Sequence, residues 1–454
     1  MPDVTGERLL CGWGRAGATR ALLVSPRDGG EIASLFSRSD FSRSGRGGMI
    51  ARGLGRSYGD AAQCAGGTVV DTTAHLTGIG EVGPSGEVEV GAGTSLDELV
   101  RQTLHKGWFL PVTPGTRHVT VGGAFAADVH GKNHHVEGSF ARHTTAITLS
   151  TPEGEHRVSA ADDPELFWAT AGGMGLTGIV TSASIRMLPV ETDRMLVDTD
   201  RFSGLDAVMA AMEEGDERHR YSVAWVDCSR SGRAVLTRGD HARLDDLPPG
   251  ARRPFREHPV RPLLRAPGHV PNGLINRVSI AALNEVWYRR APAHREAELQ
   301  SLWHFFYPLD AVADWNRLYG ASGFLQYQFA VPLKRGDVVA LAIRELSRQR
   351  VPSSLAVLKR FGPASPGPLS FPMPGWTLAL DVPIGAEEVA QCLDRLDDAV
   401  GGAGGRVYLA KDSRLRPDLV PIMYPRLAEL HEVRRRVDPG GVLRSDLSRR
   451  LGLD

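Results

Sequence analysis

The sequence predicts an α+β protein of more than one domain, and three observations carry that expectation. At 454 residues and 49.0 kDa the chain exceeds what one small core accommodates. Its first 190 residues alternate short apolar runs with glycine turns and a few helical patterns, whereas the part after residue 275 alternates helices with strands. Between them, residues 240–275 are dense in Pro and Arg (DDLPPGARRPFREHPVRPLLRAPGHVPNG), the composition of long loops rather than packed elements.

The elements follow in chain order. Residues 48–52 read as a buried strand running into the turn Gly53-Leu54-Gly55-Arg56-Ser57-Tyr58-Gly59-Asp60. A second strand covers 68–71, and alternation over 87–90 marks a third, half-exposed one. Ser95 and Glu98 form an S-x-x-E capping box before a helix whose Leu96, Leu99, Val100 and Leu104 share a face, and Gly107 stops it. Asp163 and Pro164 are the N-cap and first helical residue of another helix, closed by Gly172 and Gly173. Farther on, 337–350 and 386–400 are helical, while 354–360 and 377–382 are strands. The last 49 residues open on a strand at 406–410 and finish in charged helices.

Composition excludes several classes. Lys+Arg and Asp+Glu balance at 53 each, so no net field draws the chain onto nucleic acid. Only five basic residues are lysine: Lys106, Lys132, Lys334, Lys359 and Lys411. In so Arg-biased a chain, lysine persists where a compact, titratable ammonium cannot be exchanged for a planar guanidinium. Cys11, Cys64, Cys228 and Cys392 lie far apart without a zinc pattern and read as free thiols of a reducing compartment. The start MPDVTGERLL lacks the apolar core of a signal peptide, and the uncharged run 166–185 holds four glycines and five Ser/Thr residues, unlike a membrane span. A cytoplasmic or peripherally membrane-associated protein is expected, with the periplasmic face left open.

Three glycine clusters in the first 190 residues carry the functional signal. The turn after Arg52, followed by Asp71, resembles a dinucleotide fingerprint, but Gly59-Asp60 and Gly66-Gly67 break the helix that a Rossmann site needs. A glycine turn leaving a strand still presents successive N–H groups to a diphosphate, or is a plain tight turn. Gly115, Thr116, Thr120, Gly122 and Gly123 form the second cluster, suited either to close approach of a flat or anionic ligand or to a crossing of elements. The third, residues 172–178, runs into a strand containing Val180. Asp128-Val129-His130-Gly131-Lys132-Asn133-His134-His135 holds three histidines, yet Gly and Asn interrupt the helix that paired metal ligands need, so a polar pocket loop is expected and no metal. Lys359, Lys411 beside Tyr408, and the alternating Gln326 and Gln328 read either as pocket walls or as exposed polar faces.

Together, GLGRSYGD, PGTRHVTVGG, DVHGKNHH, GGMGLTGIV and YLAKDSR resemble the vanillyl-alcohol-oxidase, or PCMH-type, FAD flavoproteins. The resemblance narrows to the oxidase subunits of the actinobacterial polyprenylphosphoryl-ribose 2'-epimerases through DPELFWAT, NEVWYR, DWNRLYG, GFLQYQF, PLSFPMPGW and VDPGGVLRSDLSRRL, and covers nearly the whole chain.

This resemblance implies a two-part FAD-binding domain over 1–190, an α/β substrate domain with an antiparallel sheet over 191–405, and a segment 406–454 returning to the FAD domain. It implies FAD-dependent oxidation of the 2'-hydroxyl of decaprenylphosphoryl-β-D-ribose to a keto sugar, the first half of an epimerisation that supplies arabinose to cell-wall arabinan. A separate NADH-dependent short-chain reductase would complete it. Arg52 and residues 53–60 would hold the diphosphate, with Gly115, Thr116, Thr120, Gly122, Gly123, Asp128, His130, Gly131, Val180 and Tyr408 around the cofactor. Relatives that attach FAD covalently use a histidine in the first turn; Arg56 or Ser57 stands there, so dissociable FAD is expected. Lys411, His130 and Tyr58 are the implied catalytic group, and Lys132, Tyr319, Gln326, Gln328, Lys359 and Lys411 the implied substrate contacts. Ala379 stands where some mycobacterial relatives carry an inhibitor-trapping cysteine. Residues 252–276, with leucines among arginines, are expected to meet a lipid surface or to form a surface loop. A soluble sugar, alditol or aldonolactone oxidase of the same superfamily, and a non-catalytic flavin-binding partner of the reductase, are the competing expectations.

Overall fold

A computed structural model describes residues 3–37, 47–229, 232–251, 255, 262–353, 356–385 and 387–454. The chain mixes helices with three principal sheets. Asp3–Cys11, Ala18–Ser25, Thr68–Asp71 and Met49–Arg52 form a four-stranded sheet in that order, antiparallel at its first pair and parallel at the other two. Glu87–Gly91, Ile179–Arg186, Thr144–Thr151 and Gly154–Val158 form an antiparallel second. Eight antiparallel strands between Arg194 and Val407 form the third, with Ala356–Phe361, Gly375–Pro383 and Phe324–Pro332 adjacent near one edge. The architecture is α+β.

Local chemistry accounts for many element ends. Asp163 accepts from the Leu166 N–H at 3.0 Å and caps Pro164–Thr170, a bond worth about 1 kcal/mol. Ser95 likewise accepts from the Glu98 N–H at 3.1 Å to start Leu96–Leu104. The expected helices near 337 and 386 are Gly336–Arg348 and Glu387–Gly402; Ala386 lies outside the described residues, as do 354–355 ahead of the strand Ala356–Phe361.

The third sheet has two unlike faces because strand side chains alternate. Tyr327, Trp376, Leu378 and Leu380 turn toward the helices Gly336–Arg348 and Glu387–Gly402 and are buried. Gln326, Gln328, Thr377, Ala379, Asp381 and Lys359 lie on the opposite face, which meets the His130 loop. One apolar cluster runs from Ala21 to Leu453 through all of this.

One expected strand is shorter than its pattern. The strand at 406–410 is only Arg406–Val407, followed by a 3-10 turn at Leu409–Lys411. The Tyr408 N–H still bonds Gln328 O at 2.9 Å, but Ala410 O is taken by the Tyr58 N–H at 3.0 Å, which turns the chain toward the glycine loop. The C-terminal residues continue there: the Met49 N–H bonds Val442 O at 2.8 Å, and Arg450 grips both Asp60 oxygens at 2.8 and 2.9 Å.

Candidate active site

Strand Met49–Arg52 delivers the turn 53–60. The Arg52 guanidinium ties the turn down by donating to Cys11 O at 2.8 Å and Ala62 O at 3.1 Å. A Cβ at Gly53 would lie 2.2 Å from Thr120 Oγ1, and one at Gly59 would lie 1.9 Å from Asp412 O, so both positions demand glycine by close approach. Arg56 stacks 3.8 Å over the Trp13 ring. Among the described residues, the successive N–H groups of Leu54, Gly55, Arg56 and Ser57 donate to no protein acceptor. Such a row of free donors fits a diphosphate.

The other glycine clusters converge on the same place through the short helix Val121–Ala126, which the sequence pattern did not reveal. Thr120 caps it by accepting from the Gly123 N–H at 3.1 Å, and the Gly122 N–H bonds Ala92 O at 2.8 Å. These two glycines therefore contribute small size, not free donors. The third cluster hangs on the same helix: the Gly172 N–H bonds Phe125 O at 3.1 Å and the Met174 N–H bonds Ala126 O at 2.9 Å. A Cβ at Gly115 would meet no atom within 4 Å, whereas Thr116 donates to Asp310 at 2.8 Å. Asp128 is buried and accepts from the Ala141 N–H at 3.1 Å and from Ser370 Oγ. Val180 is the second residue of the strand Ile179–Arg186, ahead of its pairing with Glu87–Gly91.

Beyond the turn, the expected reactive residues gather in one cluster. Gln328 Nε2 donates to His130 Nε2 at 3.0 Å and to Thr377 Oγ1 at 2.9 Å, and Lys359 Nζ donates to Gly131 O at 3.3 Å and lies 3.4 Å from His130 Nδ1. Phe361 packs against His130 with ring centroids 4.7 Å apart, and Tyr408 stacks on Phe371 at 4.5 Å while donating to Ala127 O at 2.7 Å. Lys411 Nζ sits 5.6 Å from the Tyr58 ring centroid. Tyr58 packs edge-on to Phe324, on which Tyr319 stacks at 4.2 Å. Lys132 turns to Phe305, donating to its carbonyl oxygen and lying 4.3 Å from its ring centroid.

Three of the five lysines thus border one cleft, while Lys106 pairs with Glu81 and Lys334 is exposed at the surface. The three are half-buried, with protein crowding their ammonium groups. Burial draws Lys132 down to about 7, and burial together with Lys411 and Lys132 draws Lys359 to about 7. Lys411 falls to about 8, held up by Asp381. Burial, reinforced by Lys359 and Lys411, pushes His130 well below the usual histidine value, so its ring is neutral at pH 7. Such a cleft favours an anionic or electron-rich ligand.

Sequence reasoning missed Asp381. Burial raises it to about 7, against the bond from Gln326, the charge of Lys411 and the Tyr319 hydroxyl. A signal was present: the alternation that places Ala379 on the cleft face also places Asp381 there, directly opposite Gln326 across the ladder. Two buried acceptors, Gln326 Oε1 and Gln328 Oε1, have no protein partner and suit the polar edge of a flavin ring or a sugar hydroxyl. The histidine loop is divided among separate partners: the Gly362 N–H donates to His134 Nδ1 at 3.1 Å and His135 Nε2 bonds His219 O at 2.9 Å. Among the described residues no cluster of three metal-ligating side chains occurs.

Residues 23–159 match a family model described as an FAD binding domain. The chain is 43% identical to the decaprenylphosphoryl-β-D-ribose oxidase of Mycolicibacterium smegmatis over 99% of its own length and 98% of that protein's. It is 41% identical to an uncharacterized Streptomyces coelicolor protein over 79% of this chain and 100% of the relative. A partial likeness, 29% identity over 30% of this chain and 27% of the relative, extends to cytokinin dehydrogenase 2 of Arabidopsis thaliana. With a donor-rich glycine turn, an FAD-binding match and 43% identity over nearly its whole length, the chain belongs to the decaprenylphosphoryl-β-D-ribose oxidase family of FAD-dependent oxidoreductases.

Proposed function

We propose that the chain oxidises the 2'-hydroxyl of decaprenylphosphoryl-β-D-ribose to the 2'-keto sugar, the first half of an epimerisation completed by an NADH-dependent reductase subunit. The observation carrying this is the convergence of Lys411, Lys359, His130, Gln328 and Tyr58 in one cleft beside the glycine turn. FAD, when bound, accepts the hydride that leaves C2' while the hydroxyl proton departs.

The chain's own residues would then divide the work. Leu54 to Ser57 offer N–H groups to the diphosphate, and Arg56 or Ser57 offers no histidine for a covalent link. Gln326 and Gln328 orient the ligand through their free carbonyl oxygens. His130, neutral and held by Gln328, would orient the hydroxyl or take its proton, while Tyr58, whose phenol burial holds well above its usual value, stays protonated and would only hydrogen-bond the hydroxyl. Lys411 stabilises the negative charge that develops as the hydride leaves, and Lys132 and Lys359 favour the phosphate of the substrate.

The test is anaerobic mixing of purified holoenzyme with a polyprenylphosphoryl ribose. Absorbance near roughly 450 nm should bleach stoichiometrically, and acid precipitation should release all flavin into the supernatant. Equal bleaching by free ribose or an alditol would instead mark a soluble-sugar oxidase.

A further inference from the structure

Two neighbouring strands bring four polar side chains to the face that meets the His130 loop. Gln326 and Gln328 stand on Phe324–Pro332, and Thr377 and Asp381 stand on Gly375–Pro383 to either side of Ala379. All four are buried. A glutamine amide has nearly the same shape either way round, so its partners decide whether oxygen or nitrogen is left for a ligand.

Thr377 decides this for Gln328. Its hydroxyl donates to Phe329 O at 2.8 Å, and because a carbonyl oxygen can only accept, the one hydroxyl proton is committed there. Thr377 Oγ1 is then an acceptor, and Gln328 Nε2 donates to it at 2.9 Å. The second proton of the same nitrogen goes to His130 Nε2 at 3.0 Å. His130 Nε2 is therefore the bare nitrogen, which places the ring proton on Nδ1, 3.4 Å from Lys359 Nζ. Burial draws Lys359 down to about 7, so a neutral amine is available to accept from Nδ1.

Asp381 treats Gln326 in the same way, accepting from its Nε2 at 2.5 Å directly across the ladder. With both amide nitrogens tied down, Gln326 Oε1 and Gln328 Oε1 are left buried without a protein partner. A buried acceptor of this kind is satisfied only by a donor that the ligand brings.

We infer that Thr377, acting through Gln328, makes this wall accept hydrogen bonds and never donate them, so that the site holds the secondary alcohol of its substrate and rejects the corresponding ketone. The alcohol O–H donates to Gln328 Oε1. In the ketone that oxygen carries no proton, and two acceptors face each other. The Gln328 amide cannot turn to offer its nitrogen without breaking its bonds to both Thr377 and His130. A buried site built to pair with a hydroxyl discriminates strongly against the analogue that lacks it. Thr377 is thus a positioning residue, and His130, its Nε2 engaged by Gln328, keeps the orienting role. The amide lock stands on these bonds alone; that the alcohol is a ribose 2'-hydroxyl rests on the proposed function.

The experiment compares wild-type holoenzyme with Thr377→Val, which keeps the shape and removes the hydroxyl, and with Thr377→Ser, which restores it. The lock is read without substrate, from nitrogen NMR of histidine-labelled holoenzyme at about pH 8, with His130 assigned by difference against His130→Asn. Wild type and Thr377→Ser should carry the His130 proton on Nδ1, and Thr377→Val should gain the Nε2-protonated form. Selectivity is read as the inhibition constant of the keto product of a short-chain polyprenylphosphoryl ribose divided by KM for that ribose. The ratio should be at least about tenfold in wild type and Thr377→Ser and fall below about threefold in Thr377→Val. A wild-type His130 protonated on Nε2 overturns the inference, whatever the variants do. So does an unchanged ratio in Thr377→Val, including one accompanied by a shifted flavin spectrum, because Gln328 would then serve the cofactor. The Nδ1-protonated form in an enzyme whose flavin polyprenylphosphoryl ribose does not reduce would sink the proposed function and leave the lock standing.

Discussion

Replacing Asp381 by Asn isolates the electrostatic coupling at the cleft floor. The amide keeps the shape and can still accept from Gln326, so the change is chiefly one of charge. Above pH 7 Asp381 is a carboxylate and holds Lys411 near 8; below it, Asp381 is neutral and resembles Asn. Removing a neighbouring opposite charge lowers an ammonium pKa by about one unit or more. At pH 7.5 the charged fraction of Lys411 would then fall from about three-quarters to about one-quarter, with a roughly threefold slower flavin reduction. Stopped-flow reduction rates from pH 6 to 9 should coincide at the acid end, and the variant's alkaline decline should begin about one unit earlier. Superimposable profiles, or a variant whose decline moves to higher pH, would refute the assignment of a charge-bearing role to Lys411.

Three further outcomes follow from particular contacts. Gly53→Ala drives a methyl into Thr120 Oγ1 at 2.2 Å, so the turn must shift; flavin retained through gel filtration should drop at least about tenfold, and full retention would remove the turn from the cofactor site. His134 is buried and held at about 3 in the folded chain against about 6.5 unfolded, so the unfolded state takes up its proton first as pH falls. Its contribution is complete above pH 6.5 and declines below it, costing about 2 kcal/mol by pH 5; denaturant titrations of wild type and His134→Gln at the two pH values should show a shallower loss in the variant. Ala379 lies half-buried on the cleft face between Gln328 and Val357, and a methyl cannot act as a nucleophile. A thiol-directed nitroaromatic inhibitor should leave no adduct by intact-mass spectrometry, and Ala379→Cys should gain one.

The features legible in the amino-acid sequence were local ones. Glycine turns, the Asp163 and Ser95 caps and strand alternation could be read because each answers a backbone requirement met within a few residues: a close approach, an orphan N–H, a buried face. The excess of Arg over Lys singled out lysines before any contact was known, and three of the five border the cleft. Everything else waited on contacts between distant segments. Ala410 O leaves the strand pattern because Tyr58, some 350 residues earlier in the chain, claims it. Asp381 reads as one more polar residue in an apolar strand until Gln326 and Lys411 arrive from other strands and turns to set its charge. The exposure of Val278, Leu283, Val286 and Trp287 on helix Arg277–Arg290 is likewise invisible in the sequence, where apolar residues ordinarily mark a core face. Burial and proton affinity are properties of the neighbours that packing brings, and those neighbours are distant in sequence.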